Sequence, residues 1–308
     1  LEASLAARLD NLGDAKFMIQ IAAVIGREFR LSPLCALARQ SEAVMLEAIA
    51  KAIGAGLLGE EQAREGRVFR FAHALIQDVA YNSLLITQRR ELHSRLANTV
   101  LDDTVRHQQP ELVAEHLTRA GETAVAIEYW QRAGRHAAAG SATAEAIAHF
   151  RQGLSMLPDL PRGEQRDELE FGLRVGMAMP LIVESGYTSD DLKNCINCAL
   201  AVSKRISHTP GIYSLLYSKW GFQLTAGLMD ESLLTAHQFA QLAEQQGDDM
   251  ARYASYRMLG ASHMCLGELE LARDELDRLV NDYDPDRHAS LAAIYGVDLR
   301  VAGRCFLG

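Results

Sequence analysis

Ten histidines and five cysteines carry the most versatile chemistry in this chain, and their spacing limits what they can do. His93, His107, His116, His136 and His149 recur along its middle, but no HExxH or comparable pair occurs, so they read as single histidines on helix surfaces and boundaries. Cys195-Ile-Asn-Cys198 has the spacing of a zinc or redox pair. A zinc site needs a second pair or two histidines, and a thioredoxin-type motif needs a strand ahead of it; neither is present. The odd number of scattered cysteines then reads as reduced thiols serving as small buried hydrophobes. No G-x-x-x-x-G-K-[ST] loop is present to wrap phosphates, and no strand ends in acidic residues for a magnesium ion. The expectation is a chain that is not itself an enzyme and holds no metal or cofactor of its own.

The elements that position these residues are helices. Leu and Ala are abundant while Pro (7) and aromatic residues (6%) are sparse, which suits close-packed helices. No apolar run is long enough to span a bilayer and no signal peptide is present, so the expected location is the cytoplasm, with no membrane partner. Residues 1–108 carry 13 basic and 13 acidic side chains, so the whole net charge of −9 lies downstream. An acidic surface repels phosphates at long range. The chain opens in an amphipathic segment with no start signal and closes in an apolar periodic one, so both ends read as cuts in something longer.

Phe17, Ile21, Val24 and Ile25 share a helical stripe that ends at Gly26. Ser32-Pro33 reads as an N-cap and first helical position, and Ser41 caps a third helix with Val44, Met45, Ala48, Ile49 and Ile53 inward. Beyond Leu57-Leu58, the alternation of Val68-Phe-Arg-Phe71 predicts a β-hairpin. Three helices and a two-stranded wing make a winged helix-turn-helix, here expected over residues 13–86, with connecting helices over 87–121.

From residue 122 to the end the sequence repeats. Trp130, Gly134, Ala146, Phe150 and Pro158 fall at the spacings of a tetratricopeptide repeat (TPR), with Ala137 and Gly153 as departures. A weaker copy runs Tyr256, Leu259, Gly260, Gly267, Ala272, Leu276 and Pro285. Between them lie helix-like stretches 164–182, 189–206, 212–226 and 231–244, and Gly227 and Gly267 mark equivalent turns. The fold class is therefore mostly α: a winged helix followed by a TPR-like α-solenoid of four imperfect hairpins.

Taken together, Ala22-Ala-Val-Ile-Gly-Arg-Glu-Phe29, Phe71-Ala-His-Ala-Leu-Ile-Gln-Asp-Val-Ala-Tyr81, Arg89-Arg-Glu-Leu-His93, Glu111-Leu-Val-Ala-Glu-His116 and Ala126-Ile-Glu-Tyr-Trp130 resemble the STAND-type signalling ATPases, in the region after the ATPase module. The resemblance implies that residues 1–12 end the ATPase lid, that ATP or ADP and magnesium belong to an upstream module, and that the output domain is in many members a class III adenylate/guanylate cyclase. It also implies a role for His73: relatives place a histidine after the wing, in a Met-His-Asp motif, on the ADP β-phosphate. The motif's aspartate is Ala74 here. The array is expected to take a protein, a peptide or a small-molecule inducer on the first helices of its hairpins, with Arg132, Arg135, Tyr217, Lys219, Tyr253 and Arg257 as candidates, and the winged helix to pass occupancy to the ATPase module. The alternatives are an enzyme acting through the full-length parent, a class III adenylate/guanylate cyclase or an ATPase, and a transcription regulator that binds DNA through the winged helix. Arg64, Arg67, Arg70 and Arg89-Arg90 could meet DNA phosphates, but Glu42, Glu47 and Lys51 on the recognition helix offer no arginine to a guanine edge, which argues against DNA.

Overall fold

Helix α1 (Glu2–Asp10) leads into α2 (Ala15–Ile25), whose Met18, Ile19, Ile21, Ala22, Ala23 and Val24 are all at most 3% exposed. The computed structural model describes residues 2–63, 66–207, 209 and 211–307. Phe17, expected on the buried stripe, is 52% exposed instead. Helix α2 is packed on several sides and so has no single apolar stripe to read. Its C-cap is Gly26, as expected, with the Gly26 amide donating to the Ala22 carbonyl.

The next elements are β1 (Glu28–Arg30), α3 (Leu31–Ala38), α4 (Glu42–Gly54), β2 (Leu58–Ala63) and β3 (Gly66–Phe71), with antiparallel strand order β1-β3-β2. The sheet thus has three strands where two were expected. Strand β1 is three residues long, too short for alternation to announce it. It pairs Phe29 with Phe69 and sets the Phe29 ring, tilted, against Phe69 and Phe71 at ring-centroid distances of 5.8 and 6.0 Å. The β3 alternation is as expected, with Phe69 and Phe71 fully buried and Arg70 outside.

Helix α3 starts two residues early, with Arg30 at the N-cap, so Ser32-Pro33 lie inside its first turn, where proline is tolerated. Ser41 does hold the N-cap of α4 in extended geometry, but by its backbone alone. Met45, Ile49 and Ala52 face inward, whereas Val44 is 49% exposed. Four helices follow: α5 (Ala74–Asn82), α6 (Ile86–Arg95) running into a π-helical turn at Leu96–Val100, α7 (Asp103–Gln108) and α8 (Pro110–Ala120). One apolar core joins Leu5 and Leu9 of α1 to the sheet, to Leu92 of α6 and to Leu96 beyond it.

The chain divides into two compact units, residues 1–130 and 131–308, the boundary falling inside α9 (Thr123–Ala139). Pairs α9/α10 (Thr143–Met156), α11 (Glu164–Ser185)/α12 (Asp190–Ser203), α13 (Ile212–Thr225)/α14 (Met229–Gln246) and α15 (Asp249–Leu266)/α16 (Leu269–Asn281) are the four expected hairpins. Short helices α17 (Pro285–His288) and α18 (Leu291–Tyr295) lead to α19 (Leu299–Leu307). No helix among the described residues is long and apolar enough to cross a membrane.

A size rule holds the hairpins together. The Phe150 ring lies where a Cβ on Gly134 of α9 or Gly176 of α11 would come within 2.7 Å of it, so one phenylalanine is seated between two glycines. In α16, Leu276 meets Gly260 of its own hairpin at 2.6 Å by the same measure, and Leu279 meets Gly303 of α19 at 2.7 Å. The second helices α10 and α16 thus each insert large side chains where their neighbours have no Cβ, which brings the backbones close. The turn glycines Gly227 and Gly267 both take left-handed backbone angles, φ 78° and 80°, closing equivalent hairpins.

Candidate functional site

Helices α12 and α13 carry the same local pattern, Lys193-Asn-Cys-Ile-Asn197 and Lys219-Trp-Gly-Phe-Gln223. On a helix, positions i, i+3 and i+4 share a face, so each segment presents a lysine, an apolar residue and a side-chain amide together. Both stripes line one cavity of about 270 Å³, which Leu228 and Glu231 close from the start of α14. Ile196 is buried, Phe222 is half-buried, and the Lys193 ammonium stands 6.0 Å from the Phe222 ring centroid.

Lys219 is the distinctive member of this set. It is half-buried, and among the described residues no hydrogen bond or ion pair reaches its ammonium. Burial lowers its pKa, with the Glu231 carboxylate acting in the opposite sense. Gln223 is 8% exposed, and its carbonyl oxygen accepts from Thr235 Oγ1 at 2.7 Å, which leaves the amide nitrogen as a donor toward the cavity. In other cavities some of the charged side chains are already tied up in ion pairs. Near the start of α11 a cavity of about 420 Å³ has Arg205 bidentate on Asp167 at 2.8 and 2.9 Å. In another of about 480 Å³, Arg252 and Arg278 are tied to Asp249 and Glu275.

Of the six residues expected to meet a partner, Lys219 borders this cavity; the others are placed differently. Arg135 is exposed and Arg132 half-buried on α9. Tyr217 and Tyr253 are 2% and 3% exposed and belong to the core, not to an open face. The segment after α16 covers them. Tyr295 packs tilted against Tyr217 at a centroid distance of 4.5 Å, His288 lies flat on Tyr253 at 3.9 Å, and Gly296 approaches Met179 of α11. Arg257 donates to the Tyr217 hydroxyl and spreads over the Tyr217 and Trp220 rings, while Tyr253 donates to the Leu279 carbonyl. Periodicity could not reveal this cover, because the covering segment is remote in sequence.

His73 is exposed at the N-cap of α5, and its side chain makes no cap bond. Of the wing arginines, Arg64 lies outside the described residues, Arg67 pairs with Glu60, and Arg70 pairs with Glu28 at 2.8 Å and Glu61 at 3.4 Å. On α4, Lys51 pairs with Glu47 at 2.9 Å. Carboxylates therefore already meet these cations, which weakens any phosphate contact.

Two of the scattered histidines do meet. His93 and His116 are 0% and 2% exposed, their Nδ1 atoms 2.9 Å apart and rings stacked at 5.1 Å, and His93 Nε2 is 2.9 Å from the Tyr81 hydroxyl. Among the described residues no group of three metal-ligating side chains forms. Sequence spacing missed Lys193, Asn197, Phe222 and Gln223, although the doubled Lys-x-x-apolar-amide pattern was there to find.

No protein-family model matches the chain. Over 207 residues it is 26% identical to an uncharacterized protein of Rhizobium meliloti (strain 1021), an alignment taking in 66% of this chain and 20% of that protein. The chain thus spans about a fifth of that relative's length. Among solved structures it is similar to a Signal Transduction ATPase with Numerous Domains (STAND) protein with a tetratricopeptide repeat sensor from Pyrococcus horikoshii, with a TM-score of 0.46 and 10% identity over 92% of this chain and 53% of that one.

Proposed function

We propose that this chain is the regulatory sensor portion of a cytoplasmic STAND-type signalling ATPase, with a winged helix in residues 13–86 coupling a TPR-like ligand-binding array to a nucleotide-binding module upstream. The reading is carried by the glycine seats for Phe150, Leu276 and Leu279, which make helix pairs stack as a repeat array. The order α2, β1, α3, α4, β2, β3, with β3 central in the sheet, supports the winged helix. The matched charges on the wing and α4 favour a protein-facing winged helix over a DNA reader.

In this scheme the array takes a ligand at the Lys219 cavity, and binding shifts the population between two arrangements of the longer protein. In the same scheme ATP or ADP and magnesium sit in the upstream module and His73 meets a nucleotide phosphate there, a reading supported by its exposure at the start of α5. The test begins with the residues encoded ahead of Leu1: a phosphate-binding loop is expected there. In the longer protein, removing residues 131–308 is expected to change nucleotide turnover. Absence of such a loop, or turnover indifferent to the array, ends this reading.

A further inference from the structure

The two lysines and two amides on α12 and α13 surround a space too apolar to be only a solvated charge cluster. Ile196, Phe222 and Leu228 supply three walls, and Leu228 stays 41% exposed where a ligand would cover it. Lys193 and Lys219 against Glu231 leave the site one positive charge in excess, within a chain of net charge −9. That surplus matches a monoanion, whereas a dianionic phosphate would meet an uncompensated charge here and long-range repulsion from the rest of the chain. A cavity of about 270 Å³ lies near the small end of ligand sites, so the occupant is small.

From these features we propose that the α12–α13 cavity binds a small organic monocarboxylate with an apolar body, its carboxylate on Lys219 and Lys193 and its hydrocarbon or aryl part against Ile196, Phe222 and Leu228. The Asn197 and Gln223 amides donate to the remaining carboxylate lone pairs. Lys219 is the affinity determinant because its ammonium is already partly stripped of water, so it gains more from an anion than a surface lysine does. This assignment names the ligand class for the sensor reading above and rests on the array being the ligand-binding part.

The test uses the chain of residues 1–308 with benzoate, phenylacetate and hexanoate as probes, benzamide as the neutral control and inorganic phosphate as the dianion control. Calorimetry and the Lys219 Cε resonance are followed together. At least one carboxylate is expected to bind saturably with Kd at or below about 1 mM, and benzamide and phosphate at least tenfold more weakly. Lys219→Gln is expected to weaken the carboxylate about tenfold or more, Lys219→Arg to retain part of the affinity, and the exposed Lys204→Gln to change nothing. Circular dichroism confirms that each variant is folded; should Lys219→Gln fail that check, Lys193→Gln, which removes an exposed lysine, takes its place. Equal binding of benzamide, tighter binding of phosphate, carboxylate affinity indifferent to both lysines, or no saturable binding of any carboxylate up to about 10 mM overturns the proposal. Saturable, Lys219-dependent binding that leaves nucleotide turnover of the longer protein unmoved would overturn the sensor reading and leave the pocket standing.

Discussion

The Tyr81–His93–His116 chain makes the first unit acid-labile by an amount the structure allows one to work out. Both histidine rings are sealed from solvent, and both proton arrangements that satisfy the chain keep the histidines neutral. In one, Tyr81 O–H donates to His93 Nε2 and His93 Nδ1–H donates to His116 Nδ1; the other reverses both bonds. A proton added to His116 Nδ1 in the first arrangement faces an N–H it cannot bond. Burial is the main force holding both pKa values down, to about 3 for His93 and about 4 for His116 against 6.5 for the free side chain; the neighbouring histidine adds to it for His93, and the Arg119 guanidinium for both. The unfolded chain therefore binds more protons than the folded one below pH 6.5, and stability present at neutral pH is lost as pH falls from about 6.5 toward 4. Between pH 7 and pH 5 each histidine accounts for a little under 2 kcal/mol, about 3 to 4 kcal/mol for the pair. Urea unfolding of a Trp220→Phe background, which leaves Trp130 against Thr118 as the fluorophore, reads the first unit. Replacing both histidines by Leu is expected to flatten the dependence of unfolding free energy on pH by about 1.4 protons on average across this window, rising toward two at its acid end. An unchanged slope, or a folded-state resonance of either ring titrating above pH 6, refutes the argument.

Three further perturbations test the packing. Gly176→Ala places a methyl against the Phe150 ring and is expected to destabilise the array by about 1 to 3 kcal/mol, less about 1 kcal/mol of gained helix propensity, with Phe150→Leu relieving the clash in the double variant; chemical denaturation followed through Trp220 reads it. Tyr295→Ala removes the ring lying on Tyr217 and is expected to cost about 3 kcal/mol and to raise amide exchange across residues 285–296 selectively. Cys195, whose thiol donates to the Arg174 carbonyl at 3.2 Å and is pushed up to about 12 by burial, is expected to resist thiol reagents until unfolding, while the exposed Cys265 and Cys305 react at once.

What could be read in the sequence followed from rules that are local. Helix existence in the array was legible because periodicity, glycine turns and caps all act within a few residues; the Ser189 side chain, for example, accepts from the Leu192 amide and caps α12. Strand β1 was not legible, since it exists through pairing with β3 across forty residues of chain. The same distance hid the His93–His116 contact, which depends on α6 meeting α8, and the cover over Tyr217 and Tyr253, which depends on α17 and α18 returning to α15 and α13. Two of the six expected contact residues were lost to that cover. Lys219 was named from its helix alone, while its partners needed α12 and α14 beside it.

The third hairpin shows why fixed residue identities find only part of such an array. Counted from the equivalent turn glycines, Trp220 stands where Gly260 does, and Ala236 where Leu276 does. The large and small members have exchanged helices: α13 carries the bulk and α14 the gap, the reverse of α15 and α16. Trp220 and Ala236 lie in one buried cluster at 2% and 0% exposure, so the volume filled between the helices is kept although both residue types differ. The exchange brings a polar requirement with it, because a buried indole N–H needs an acceptor. Ser262 of α15 supplies it at 2.9 Å and is itself within 3.2 Å of the Ser232 hydroxyl on α14, so three helices share one hydrogen-bonded contact. What packing constrains is the summed size of facing residues and the satisfaction of their polar atoms. A pattern written as single letters sees the first and last hairpins, where glycine happens to sit on the first helix, and passes over the one where it does not.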